Sequence, residues 1–240
     1  MKTKPTYIYG KHSVLEAIRN RTNIITELFI TAEVDEGIRK IIKKNDLFIS
    51  RKGIPASADK FIHQGYVAKI RPEKMMTSYK EFISDLKITD NTSILILGEV
   101  QDPQNVGAII RSAAAFGVSA VLFPEHNQAQ MTGAVVKVSS GMAFKIPLVS
   151  IGNVNSTIKD LKDKGFWIYG LAADGDVLLH EEDFSKPSVF VIGNEQKGVR
   201  EKTKEACDII LSIPIDKKCE SLNAATAASV VMYQWGAGRK

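Results

Sequence analysis

The residues best suited to chemistry in this chain stand in three polar segments, each directly after an apolar run. Asn105 and Arg111 lie in the first, Gly98 to Gly117; Glu195 lies in the second, Ile192 to Arg200; Ser221 and Asn223 lie in the third, Ser212 to Ala228. An amide pair, a guanidinium, a carboxylate and a hydroxyl are groups that can orient a polar or charged part of a ligand. Each also has a plainer role open to it. Asn105 falls where a helix ended by Gly117 would have its N-cap. Arg111, among Ile109, Ile110, Ala113 and Phe116, needs a partner if its stem faces a sheet, and Glu99 or Asp102 would serve. Glu195 either orients a cationic or hydroxyl group or is a solvated turn carboxylate. Ser221 and Asn223 precede an alanine-rich helix that either of them would cap.

Other chemistries fit less well. Gly193 and Gly198 have the spacing of a phosphate-binding loop, but Val199 and Arg200 stand where that loop needs its lysine and its magnesium-binding hydroxyl. No G-x-G-x-x-G follows an apolar run, which argues against dinucleotide cofactors. The two glycines still permit close backbone approach to a ligand. Cys207 and Cys219 make no disulfide framework, and His12, His63, His126 and His180 are too scattered for a metal cluster. A metal-free protein of a reducing, cytoplasmic compartment is expected. Met1 to Pro5 lead into no apolar core of a signal peptide, and no long uncharged apolar stretch suggests a membrane span.

Among the elements that must position these groups, charge divides the 240 residues. Residues 1–72 hold 14 Lys and Arg against 7 Asp and Glu, whereas the remainder is close to neutral. A basic module suits a polyanion, with Lys11, Arg19, Arg21, Arg39, Lys43, Lys44, Arg51 and Lys52 as candidate phosphate contacts. This first segment reads as a small α/β unit. Helices are expected at Val14–Ile18, Ile38–Lys44 and near Ser57–Ile62, and strands at Leu28–Ile30, Leu47–Ile49 and Tyr66–Ile70. After a charged linker with a short helix at 73–92, six apolar runs recur at roughly twenty- to thirty-residue intervals. They are Ile94–Leu97, Ser119–Phe123, Ile146–Val149, Phe166–Gly170, Ser188–Ile192 and Ile209–Ile213. Such runs, separated by helical material, predict a parallel sheet covered on both faces. Ligands of these sheets bind beyond the C-terminal ends of the strands, where the three polar segments lie.

Taken in order, three motifs resemble those of the SpoU (TrmH-like) branch of the SPOUT RNA 2′-O-ribose methyltransferases. They are Asp102-x-x-Asn105-x-Gly107-x-x-x-Arg111-Ser112-Ala113, then Ile192-Gly193-Asn194-Glu195-x-x-Gly198, then Ile213-Pro214 with Ser221-Leu222-Asn223. The N-terminal segment is similar to the family's L30e-like RNA-binding domain, through Tyr9-Gly10-x-His12-x-Val14-x-Glu16-Ala17 and His63-Gln64-Gly65-x-Val67-Ala68. The resemblance covers nearly the whole chain and is nearest to members that methylate a guanosine ribose in large-subunit (23S) rRNA. It implies an α/β SPOUT domain at 93–240 with a parallel sheet and a deep trefoil knot, and an L30e-like substrate-binding domain at 1–72. It implies S-adenosyl-L-methionine as cofactor, with contacts carried over to Gly193, Ile213 and Leu222. It also implies a homodimer acting on RNA, with neither DNA nor membrane as partner. Asn105, Arg111, Glu195, Ser221 and Asn223 carry over as catalytic positions, Arg111 as general base. A guanidinium with a pKa above about 12 holds its proton tightly, so a charged clamp on phosphate and ribose stands beside that role. Family members commonly have Met and Gly where Ile215 and Lys217 stand, so Lys217 is expected to be strained if that position takes positive φ; the Lys217-Lys218 pair would otherwise suit RNA phosphate. A tRNA methyltransferase and a non-catalytic RNA-binding protein are the competing readings.

Overall fold

The computed structural model describes residues 6–126 and 128–237. In chain order the elements are β1 (Thr6–Tyr9), α1 (Lys11–Asn20), β2 (Ile25–Ile30), α2 (Glu36–Lys44), α3 (Ala56–Asp59) and β3 (Tyr66–Ile70). Then come β4 (Thr77–Ser78), α4 (Tyr79–Asp85), β5 (Ser93–Leu97), α5 (Pro103–Ala115), β6 (Ala120–Pro124), α6 (Gly133–Val138) and β7 (Leu148–Ile151). The last are α7 (Val154–Asp163), β8 (Trp167–Leu171), β9 (Val177–Leu178), β10 (Ser188–Ile192), α8 (Glu201–Lys204), β11 (Ile209–Ser212) and α9 (Ala224–Ala237). No helix among the described residues is long and apolar enough to cross a membrane.

Two compact units result. The first comprises the chain up to Met76 together with Gln130–Lys145, a segment from inside the stretch expected at 93–240. Its antiparallel sheet has the order β1-β3-β2. Asp35 caps α2, whose Ile38 and Ile42 are buried one turn apart, the amphipathic spacing read from sequence. Three local expectations need correction. Leu47–Ile49 is not a strand, since only an isolated bridge from Ile49 to Leu28 forms there. The helix near Ser57 is a single turn, Ala56–Asp59, which Pro55 precedes. β1 was not anticipated, because four residues before a helix show their strand character only through pairing with β3.

The segment from 130 to 145 is bound to this unit by close packing and by charge. An added Cβ on Gly133 would come within 2.1 Å of the Tyr7 carbonyl oxygen, so α6 meets β1 backbone to backbone. The Glu16 carboxylate accepts from Arg19 at 3.0 Å and Asn20 at 2.9 Å and pairs with Lys145 at 3.2 Å. Burial pushes its pKa up, but hydrogen bonds and charge from Lys145 and Arg19 outweigh this and hold it below the usual carboxylate range.

The second unit, Thr77–Ala129 with Ile146–Lys240, is built on one eight-stranded sheet of order β4-β7-β6-β5-β10-β8-β11-β9. Every pairing in it is parallel. All six apolar runs are strands, displaced by two residues at most from their expected bounds, and β4 and β9 are two-residue additions at the edges. Ile94, Ile96, Leu122, Val149, Val189 and Val191 are buried together beneath Ile158 and Leu161 of α7. From β5 the chain steps outward through β6 to β7, then crosses to β8 on the other side, and β10 later fills the gap between β5 and β8. The direction of winding thus reverses at β5 and β10, whose last residues Leu97 and Ile192 are in register. A crevice at such a reversal is where ligands of parallel sheets bind.

Replacing Gly133 with Ala is expected to destabilise the protein by more than about 2 kcal/mol, read as a fall in the midpoint of urea unfolding, because backbone on both sides must move. Glu16→Gln is expected to cost about 1 kcal/mol at neutral pH. A depressed pKa contributes stability above the unfolded value of 4.5 that is lost as pH falls through the folded one, so wild type and variant should converge in acid. A gap that stays constant from pH 7 to about pH 3 would contradict this assignment.

Candidate functional site

The three polar segments leave the C-terminal ends of β5, β10 and β11 and meet through side-chain hydrogen bonds. Asp102, not Asn105, caps α5, its Oδ1 accepting from the Gln104 amide at 2.8 Å with Pro103 at the first helical position. Asn105 is therefore inside the first turn, buried, and free of capping duty. Its Nδ2 donates to Glu195 Oε1 at 3.0 Å, and its Oδ1 accepts from Asn223 Nδ2 at 2.8 Å. Asn223 Oδ1 in turn accepts from the amides of Ala225 and Thr226, at 2.9 and 3.2 Å, and so begins α9.

The polarity of this chain follows from its first member. An ionised carboxylate only accepts, so Asn105 must turn its NH2 to Glu195 and its oxygen to Asn223; Asn223 must then offer its own NH2 and keep its oxygen for the helix. Glu195 also accepts from the amides of Asp102 at 3.0 Å and Gln101 at 3.3 Å. Partial burial pushes its pKa up, yet the bonds from Asn105, Asp102 and Gln101 prevail and hold it below the ordinary range. A carboxylate so stabilised is a weak base, suited to positioning rather than to taking a proton.

The second segment is a tight hairpin. Asn194 and Gly198 exchange both backbone hydrogen bonds, at 3.0 and 2.9 Å, with Gly198 at φ 65°. A Cβ on Gly193 would fall 2.1 Å from the Gly198 carbonyl carbon, so only glycine lets the hairpin close. Asn194 accepts from the amides of Gln196 and Lys197 and donates to the Glu99 carbonyl at 3.0 Å. Glu99 itself, at φ 70°, pairs with Arg200 at 2.6 Å. Asn194 stands in the second motif without a role, Glu99 enters the sequence reading only as a partner of Arg111, and the contacts that Asn194 and Arg200 make to Glu99 were not read from sequence. An asparagine directly after a glycine is a turn signal that would have pointed to the first of them, whereas the Glu99 to Arg200 pair joins positions about a hundred apart and has no local signature.

A cleft of about 330 Å3 opens between the second and third segments, and the first segment lends it no lining residue. Gly193, Ile213 and Leu222 line it, as do Glu195 and Ser221, and Asp174 and Lys204 stand at its polar part. Ile215 contributes to the apolar wall. Lys217 is not among the residues with positive φ, so the expected strain there does not arise. Ser221 is exposed at the cleft and does not cap α9. A second cavity, of about 470 Å3, lies beyond the ends of β5, β6 and β7 and takes in His126, Asn153 and Arg200. It gathers residues of the first two segments only.

Arg111 is placed apart from this network. Six residues beyond Asn105 on α5, it points about a third of a turn away and roughly 9 Å further along the axis. Its side chain is exposed and makes no hydrogen bond or ion pair among the described residues. Neither alternative partner is available, because Glu99 is engaged by Arg200 and Asp102 caps the helix. Ser112, on the Asn105 side, accepts from Ser229 at 2.8 Å where α5 packs against α9.

Comparison with known proteins places this geometry. Residues 92–233 match the SpoU rRNA Methylase family, and residues 7–76 match the domain described as RNA 2′-O ribose methyltransferase substrate binding. The chain is 32% identical over 238 residues to the 23S rRNA (guanosine-2′-O-)-methyltransferase RlmB of Shewanella oneidensis, covering 96% of each. It is 34% identical to a putative TrmH family tRNA/rRNA methyltransferase of Staphylococcus saprophyticus, covering 95% of this chain and 93% of that one. In fold it is similar to the AdoMet-bound rRNA methyltransferase of Sinorhizobium meliloti, with a TM-score of 0.80 at 21% identity, covering all of this chain and 89% of that one. With a methylase domain on the parallel sheet and a substrate-binding domain on the antiparallel one, the chain belongs to the SpoU rRNA methylase family of RNA 2′-O-ribose methyltransferases.

Proposed function

We propose that this protein transfers a methyl group from S-adenosylmethionine to a ribose 2′-hydroxyl in RNA, and that its target is a guanosine of 23S rRNA, the substrate named for the Shewanella relative. The observation that carries the reading is the cleft in which Gly193, Ile213 and Leu222 adjoin Glu195 and Ser221. Its residues suit the cofactor. Ile213, Ile215 and Leu222 offer an apolar wall for a planar base, Glu195 and the Asp174–Lys204 pair offer both signs of charge to a tail that carries a sulfonium, an ammonium and a carboxylate, and the volume is of small-molecule size. When bound, the cofactor supplies an electrophilic methyl. The protein's part is placement: holding the ribose oxygen in line with that methyl is worth roughly 7–11 kcal/mol.

Within this reading Glu195, Asn105 and Asn223 hold the segments in register, and Ser221 faces the cleft to orient the sugar. Arg111 remains charged and grips the target nucleotide's phosphate and ribose. An exposed guanidinium without a partner among the described residues of its own chain suits a site completed by a second copy. The homodimer belongs to the proposal on that ground, and Tyr233, 61% exposed on α9, is part of the surface offered. So does the trefoil knot, supported by the late insertion of β10 between β5 and β8 and by the close passage of the 193–199 and 213–223 segments. Residues 1–72, with Gln130–Lys145 packed on them, bind the RNA, 73–92 lead into the second unit through β4 and α4, and the rest of 93–240 carries the methyl-transfer site.

Incubation of the protein with methyl-labelled cofactor and unmodified total RNA should place label on a guanosine 2′-oxygen of 23S rRNA. Label in tRNA alone would overturn the substrate, and cofactor binding without label would overturn the activity. Arg111→Ala is expected to lower methyl transfer at least a hundredfold while calorimetry finds cofactor affinity nearly unchanged; affinity falling in step with activity would refute the clamp. Asn105→Asp sets a second carboxylate against Glu195, which raises the pKa of the pair. Once protonated, the introduced carboxyl can still donate to Glu195, so this variant should regain activity as pH is lowered from about 8 to about 5.5.

A further inference from the structure

We propose that Phe61, in the substrate-binding unit, is a stacking platform for one unpaired base of the RNA, with Lys60 moving to the adjoining phosphate. The inference rests on the reading of the chain as an RNA-binding enzyme and adds to it the form of RNA this unit recognises. Four side chains form a column. The rings of Phe61 and Tyr9 lie parallel, 4.3 Å between centroids and 5° between planes. Lys137 Nζ is 5.2 Å from the Tyr9 ring centroid, and Lys60 Nζ is 5.2 Å from that of Phe61.

The inner half of this column is fixed. Tyr9 is buried with Phe29, Ala58 and Val67, and Lys137 donates to the Ile62 carbonyl at 2.6 Å, which ties the Phe61 loop to α6. The outer half is open: Phe61 is 37% and Ile62 77% exposed, although both are large and apolar. A rigid, solvent-facing ring bordered by lysines, in a unit with twice as many basic as acidic residues, is the arrangement by which proteins hold single-stranded nucleic acid. Every base has a π-face, but in a duplex both faces are covered by neighbours. A platform one ring wide therefore selects an unpaired nucleotide. The ammonium of Lys60 occupies the place on Phe61 that the base would take, at little cost to displace from an exposed site. A protein partner would not account for the excess of basic over acidic residues in this unit.

The experiment uses the full-length chain and two RNA probes, one carrying 2-aminopurine in a single-stranded loop and one carrying it inside a duplex. Wild type should quench the loop fluorophore on binding and leave the duplex one unaltered. Phe61→Ala should weaken loop binding about 5- to 100-fold and remove the quenching, with duplex affinity unchanged. Phe61→Trp should preserve both signals. Phe61→Leu, which keeps an apolar side chain over Tyr9 without a π-face, should behave like the alanine variant at wild-type thermal stability. Wild-type quenching by Phe61→Leu, or equal losses on both probes, would overturn the proposal. Because no readout depends on methyl transfer, a protein that quenches but does not methylate would refute the enzymatic reading and leave this one standing.

Discussion

A carboxylate cannot donate a hydrogen bond, and the organisation of the site depends on that one-sidedness. Glu195 accepts from two backbone amides of the first segment and from Asn105, so the orientation of Asn105, then of Asn223, then the start of α9, is decided in sequence. Side-chain amides are indifferent to being turned over when both neighbours are versatile; here neither is. Three turns distant in sequence are thereby brought to one arrangement. The cost of ionising Glu195 in a partly buried place is offset by the donors around it, since charge-assisted bonds are stronger than neutral ones. The active surface is thus organised by a polar relay laid across the ends of strands that are themselves held by backbone ladders and apolar packing.

Much of this was legible in sequence, for reasons that differ from element to element. The parallel sheet was readable because strands buried on both faces leave near-continuous apolar runs, as in Ser188–Ile192, where expected and observed bounds coincide. The cleft residues were found through the order of three motifs, and Gly193, Ile213, Leu222, Glu195 and Ser221 do share one cavity. Asn105 was assigned to the wrong local position, because Asp102 with Pro103 begins the helix three residues earlier. Arg111 was judged by its apolar sequence neighbours, although its own direction on α5 is toward solvent. In the small unit, Leu47–Ile49 has strand composition but finds only a single bridge, a case of tertiary context overriding propensity.

The two units use their charges differently. In the larger one, Glu99 with Arg200 and Lys162 with Asp208 join segments far apart in sequence, at 2.6 and 2.8 Å. In the smaller one, Glu16 is the carboxylate most deeply committed among the described residues, and basic residues outnumber acidic ones two to one over 1–72. That surplus is unfavourable for a compact unit taken alone. It becomes favourable only when a polyanion shares the surface.

Gln130–Lys145 has a consequence for how the protein is made. The small unit needs α6 against β1 and Lys145 beside Glu16, yet the 53 residues Thr77–Ala129 of another unit are synthesised between Met76 and Gln130. During translation the first unit must therefore wait, its sheet edge uncovered and one carboxylate lacking its counter-ion, until the chain returns. Loop closure over such a span is slow relative to local helix formation. The nascent RNA-binding unit is thus the earlier to emerge but stays incomplete until Lys145, an interval in which a ribosome-bound chaperone or the RNA itself would find it open.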